Sequence, residues 1–127
     1  MMNKIIFFIV FSFLFIIQVP VIAQFETDTI QTSDGNLIIT FIGHGSLMFS
    51  FNGKIIHADP YNKLADYSTL PKADIILVTH HHGDHLDQEA IEKIKTEKTT
   101  LVFTEVCKEK LPGGVVLKNG ETKKIDE

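Results

Sequence analysis

Apolar residues along this chain come in short blocks with two different periods, and the change of period predicts the elements. Asn36–Ile42 is a strand, with Leu37, Ile38, Ile39, Phe41 and Ile42 apolar on both faces, as expected of a strand covered on two sides. Gly43-His44-Gly45 breaks it, and the glycines permit backbone angles that let the chain come close to a ligand. Leu47, Phe49 and Phe51 then alternate with Met48 and Ser50, and Ile55 and Ile56 resume after Asn52-Gly53. Asn-Gly between apolar runs is the strongest short hairpin signal, because a type I′ turn needs positive φ at both central residues. Asp59-Pro60 ends the second hairpin strand, since proline has no N–H for a ladder.

Tyr61–Ala73 reads as a loop with at most a short helical stretch, followed by a strand at Asp74–Val78 with Ile75, Ile76, Leu77 and Val78 unbroken. Helical spacing replaces alternation after Asp87, where Ala90, Ile91 and Ile94 make one buried face of a helix from Gln88 to about Thr96. Asp87 is its N-cap, and a carboxylate there suits the helix dipole. Thr100–Thr104 is a strand, Glu105–Leu111 a short helix, Pro112-Gly113-Gly114 a turn and Val115–Leu117 a strand. Asn119-Gly120 announces another turn, with a last strand beginning over Glu121–Ile125. Strand, helix, strand alternation argues an α/β fold.

The two ends read differently. Met1–Lys4 carries one positive charge, Ile5–Ile17 is almost wholly apolar, and Val21-Ile22-Ala23 ends in a small residue suited to signal peptidase. Residues 1–23 are therefore expected to be a signal peptide cleaved after Ala23, placing the protein in the periplasm or outside the cell with no stable membrane span. An uncleaved anchor is the alternative, although Gln18 and Pro20 interrupt the apolar run. Residues 24–35 are polar and read as a mobile leader, leaving 36–127 as the folded part.

Charge and cysteine content narrow the function. The formal net charge is −4 without any arginine, so nucleic acid is not an expected partner, because phosphate binding wants a basic face. Cys107 is the one cysteine, which rules out an internal disulfide despite the expected oxidising compartment and reads as a small buried hydrophobe. There is no repeat, P-loop or dinucleotide-binding glycine pattern.

Most of the chemistry lies in Thr79-His80-His81-His82-Gly83-Asp84-His85-Leu86-Asp87, directly after the unbroken apolar strand. Strand-end loops are where α/β folds place their chemistry. Imidazole nitrogens and carboxylate oxygens are ligands that zinc accepts, and ligands two residues apart in an extended loop can converge on one ion. His80 and His82 would hold one metal, Asp84 and His85 a second. A solvated histidine-rich turn is the bland alternative. Three of the chain's 6 histidines falling in H-x-H-x-D-H order within six residues argues against it.

This motif, the Gly-His element at Gly43-His44, the hairpin and Asp59-Pro60 resemble the metallo-β-lactamase-fold hydrolase superfamily. They are similar in order to its branch of L-ascorbate-6-phosphate-lactonase-like and N-acyl-phosphatidylethanolamine-phospholipase-D-like proteins. The likeness runs from about Leu37 to Asp126, and it implies the N-terminal half of a metallo-β-lactamase αββα sandwich.

Function and ligands follow from the resemblance as expectations. Two metals, expected to be zinc with manganese or iron also fitting the donor set, would share a water or hydroxide that attacks an ester, lactone or phosphodiester of a small-molecule substrate. Asp84 would also orient the nucleophile. Asp59 matches a carboxylate that supports the ligand histidines from behind, though it also suits a plain turn before Pro60. His44 is either substrate-facing or a turn residue. His57, which alternates with Asp59, would point away as a structural residue, and His81 would face away from both metals.

A complete site of this kind needs a further histidine for each metal and a bridging aspartate, yet no histidine follows His85. The sequence is thus expected to be a truncated or incomplete hydrolase. A non-catalytic metal-binding module, or one completed by a partner chain that supplies the missing half, is the alternative.

Overall fold

The computed structural model describes residues 25–125. The expected signal peptide at 1–23 lies outside them. Among the described residues seven strands form one sheet in chain order: β1 (Glu26–Thr32), β2 (Gly35–Gly43), β3 (Ser46–Phe51), β4 (Lys54–Ala58), β5 (Ile75–Val78), β6 (Thr100–Phe103) and β7 (Val115–Val116). β1 to β4 pair antiparallel, and β4 to β7 pair parallel. The helix α1 (Gln88–Ile94) crosses between β5 and β6, and short 3-10 turns lie at Tyr67–Thr69 and Glu105–Cys107. Among the described residues no helix is long and apolar enough to cross a membrane.

The β3–β4 turn has the expected geometry, with φ of 48° at Asn52 and 76° at Gly53 and Phe51 opposite Lys54. At the start of α1, the Asp87 side chain accepts from the backbone N–H of Glu89 and Ala90. Its other oxygen accepts from Asn62 N at 2.9 Å, which ties the loop after β4 to the helix. The helix stops earlier than predicted because Lys95 turns to an extended conformation.

Three expectations need correction. Residues 24–35 are not a free leader, since Glu26–Thr32 forms β1, paired with β2 from Glu26 opposite Phe41 to Thr32 opposite Gly35. Every side chain of β1 is exposed, so the backbone ladder holds the strand and no apolar pattern announces it. Glu121–Ile125 is not a strand; the edge it would join, β7, is only Val115–Val116 and offers little ladder. β2 is not covered on both sides, because Phe41 remains 41% exposed on the face opposite the buried Thr40 and Ile42.

The two faces of the sheet differ. On one, His57, Ile76, Val78, Leu101 and Phe103 are buried, with Ala90, Ile91 and Ile94 of α1 and the ring of Tyr67 in the same core. Burying each large aliphatic side chain there contributes roughly 1.5–3 kcal/mol. Cys107 joins this core as the small buried hydrophobe predicted for it. On the other face Ile39, Phe49, Ile56 and Ile75 make one apolar row across four strands. All four remain only partly buried.

Candidate metal centre

Parallel pairing of β4 with β5 places the carboxyl ends of both strands side by side, and the site is built there. Asp59 follows β4 in a left-handed conformation, φ 45°, which is unusual for a residue with a side chain. Its N–H donates to Leu77 O at 2.9 Å, and its carbonyl accepts from Ser46 Oγ at 2.5 Å. Held this way, the side chain is 6% exposed and its carboxylate receives three donors. Thr79 N reaches Oδ1 at 2.8 Å, while Thr79 Oγ1 at 2.7 Å and His85 Nδ1 at 2.8 Å converge on Oδ2.

These contacts fix two imidazoles. An ionised carboxylate only accepts, so His85 Nδ1 carries the hydrogen and its Nε2 is left as a ligand atom. The one hydrogen of the Thr79 hydroxyl is spent on Asp59. Toward His80 Nδ1, 3.0 Å away, that hydroxyl therefore acts as acceptor, and His80 likewise presents Nε2. Asp59 thus orients His85 directly and His80 through Thr79.

The β2–β3 turn approaches from the other side. His44 has φ 50° and Gly43 φ 133°. His44 Nε2 lies 3.0 Å from Asp84 Oδ2, and His85 Nε2 lies 3.7 Å from the same oxygen. The Asp84 carboxyl is held below its ordinary value, first by its own backbone N–H and next by the His44 ring. Gly45 makes room for this closeness, because a Cβ there would sit 2.9 Å from His85 Cε1 and 3.3 Å from Nδ1.

The predicted residues divide as follows. Ligand atoms of His44, Asp84 and His85 all lie within 4.8 Å of one another. His80 and His82 stack edge-on with ring centroids 4.8 Å apart, and the His80 ring is 4.0 Å from that of His85. His81 is exposed, and its carbonyl accepts from Lys110 Nζ at 3.1 Å. His57 lies on the covered face of the sheet, with Nε2 3.0 Å from Pro71 O, and burial pushes its pKa down. Two nitrogens and a carboxylate oxygen converging beside further imidazoles fit a borderline-soft divalent ion such as zinc.

Thr79 and Ser46 acquire roles that sequence reasoning did not assign. The one signal for Thr79 is its place directly before His80, at the end of an apolar strand. Ser46 gave none, since its role depends on β3 and β4 lying side by side.

The geometry has relatives. A model of the family described as "Beta-lactamase superfamily domain" matches residues 38–126. A UPF0173 metal-dependent hydrolase of Flavobacterium johnsoniae is 53% identical over 62 residues, 43% of this chain and 27% of that protein. One from Thermodesulfovibrio yellowstonii is 40% identical over 80 residues, 57% of this chain and 30% of that protein. A solved structure from Parabacteroides distasonis, described as a metal-dependent hydrolase, superposes with a TM-score of 0.76 at 49% identity, covering 78% of this chain and 46% of that one. The metallo hydrolase Igni18 from Ignicoccus hospitalis shares the fold, with a TM-score of 0.56 at 22% identity over 70% of this chain and 42% of its own. The chain spans less than half the length of each of these relatives. The α/β half-sandwich expected from the sequence is thus found in solved metallo-hydrolases, and by its matched residues the chain belongs to the beta-lactamase superfamily domain family.

Proposed function

We propose that this chain carries the metal-binding half of a zinc-dependent hydrolase acting on an ester, lactone or phosphodiester of a small molecule. The observation that carries this reading is the convergence of His44, Asp84 and His85 in front of a buried Asp59. Two metals are assigned, one to His80 and His82 and one to Asp84 and His85. When bound, such ions lower the pKa of water toward about 7 and take up negative charge that develops on the substrate. The chain's own residues do the positioning. Asp59 and Thr79 hold the His85 and His80 rings with Nε2 outward, and Asp84 offers an exposed carboxylate oxygen that can orient an attacking water.

Zinc content of the purified chain, together with hydrolysis of bis(p-nitrophenyl) phosphate, p-nitrophenyl acetate and a homoserine lactone, tests the proposal. Activity that is lost to a chelator and restored by zinc supports it. A metal-loaded chain completed by its second half and inert toward all three classes would sink it.

A second reading is favoured by the open apolar face, where Phe41 is 41% exposed. In that reading the chain is a metal-binding module without hydrolase activity of its own, and another chain completes it. Co-purification of a stoichiometric second polypeptide from source cells supports it, and a monomer fully active alone refutes it. Export with cleavage after Ala23 completes the proposal; N-terminal sequencing of the native protein that begins at Met1 would remove it.

A further inference from the structure

We propose that His44 is a metal ligand, so that His44, Asp84 and His85 form a three-ligand site for a divalent cation lying wholly within this chain. The inference rests on the metal-dependent reading above and changes its ligand set, because His44 was expected to face substrate or merely to turn the chain.

Geometry is the first argument. Zinc bonds to nitrogen and oxygen of about 2.0–2.1 Å in a tetrahedral site put neighbouring ligand atoms about 3.3 Å apart. The separations from Asp84 Oδ2, 3.0 Å to His44 Nε2 and 3.7 Å to His85 Nε2, lie on either side of that value. Small side-chain rotations bring all three onto one ion. The His44 and His85 rings, with centroids 5.4 Å apart, are tilted rather than stacked, which suits two nitrogens converging on a common point.

Backbone conformation is the second. His44 holds φ 50° without being glycine, and such residues persist where the surroundings over-determine them. Packing does not supply the reason, because the side chain is 53% exposed and its hydrogen-bond partner is Asp84, itself 41% exposed. An exposed ion pair contributes little. Delivering an imidazole to a cation accounts for the conformation better than holding that pair does.

Preorganisation is the third. His85 is already fixed by Asp59 and backed by Gly45, so one ligand costs little ordering on binding. Two imidazoles select zinc, cobalt, iron or manganese over magnesium and calcium, and three protein ligands leave the open position typical of catalytic sites. Such a site would fill before the His80 and His82 pair, which supplies two ligands from this chain.

The test is zinc titration of the full chain against a chromophoric chelator, with proton NMR of the cobalt form, comparing wild type with His44→Asn. Asparagine accepts left-handed backbone, and a urea midpoint of the metal-free variant confirms folding. His44→Ala serves as a second variant. The expected result is a loss of at least about tenfold in zinc affinity and the disappearance of one exchangeable hyperfine-shifted imidazole signal. Unchanged affinity with the full set of imidazole signals would overturn the inference and leave the hydrolase reading standing. A wild-type chain that takes up no zinc would overturn both.

Discussion

Replacing Asp59 by asparagine separates what this carboxylate does for the fold from what it does for the metal. The side chains match in shape, and asparagine tolerates the φ of 45°. An amide oxygen in place of Oδ1 still accepts the Thr79 N–H, while the NH2 replaces Oδ2, where Thr79 Oγ1 and His85 Nδ1 both arrive. The hydroxyl repairs its bond by rotating and accepting. His85 repairs its own by moving its hydrogen from Nδ1 to Nε2, which is the atom facing Asp84. All three bonds lose their charge assistance in the fold, costing about 1–3 kcal/mol. Zinc affinity falls about 10–100-fold, equivalent to about 1.4–2.8 kcal/mol. Asp59→Ala is the harsher companion, leaving buried donors without an acceptor at a cost of about 1–3 kcal/mol each. Urea unfolding followed by circular dichroism measures the first quantity, and chelator competition the second. Nitrogen-15 NMR reports the His85 tautomer directly. An Asp59→Asn chain that binds zinc as wild type does, with His85 still protonated at Nδ1, would refute the reasoning.

Gly45→Ala should displace the His85 ring and weaken zinc binding by at least about tenfold, while the circular dichroism spectrum stays that of wild type. His57 is kept below its ordinary pKa of 6.5 by burial, so its contribution is fully present above that pH. As pH falls through about 6.5 and below, the unfolded chain takes up a proton that the folded chain resists, and stability declines. Urea midpoints of His57→Gln should therefore fall less than those of wild type between about pH 7.5 and 5.5; parallel curves would reject this. Asp87→Ala removes the cap of α1 and the anchor of Asn62 N, so a loss of about 1–2 kcal/mol is expected in urea unfolding, and no loss would show the cap to be dispensable.

Local chemistry made much of this molecule legible. Asn52-Gly53 declared its turn, Asp87 its helix and the unbroken Ile75–Val78 run its strand. The motif histidines and Asp84 stood out as candidate ligands from spacing alone, and the structure draws Asp84 and His85 together with His44. β1 was hidden because its stability comes from backbone pairing with β2, and its side chains are exposed. The one-sided burial of β2 was hidden too, since Leu37, Ile39 and Phe41 would look the same whether or not a second layer covered them. At the site, Thr79 and Ser46 act across strands, and only the register of β3, β4 and β5 reveals which side chains meet.

Strand order along the sheet also bears on how the chain folds. Each strand pairs with the strand next to it in sequence, from β1 through β7, so no strand waits for a distant partner to be synthesised. Loop-closure entropy is therefore met in instalments, the wider ones being the parallel pairings that join Ile56 to Ile75 and Ile75 to Thr100. During translation the hairpins of β1 to β4 can form as they leave the ribosome, each offering a finished edge to the strand that follows. Once β5 has paired with β4, Leu77 O holds the Asp59 N–H, and the carboxylate is in place before the histidine loop that depends on it has been made.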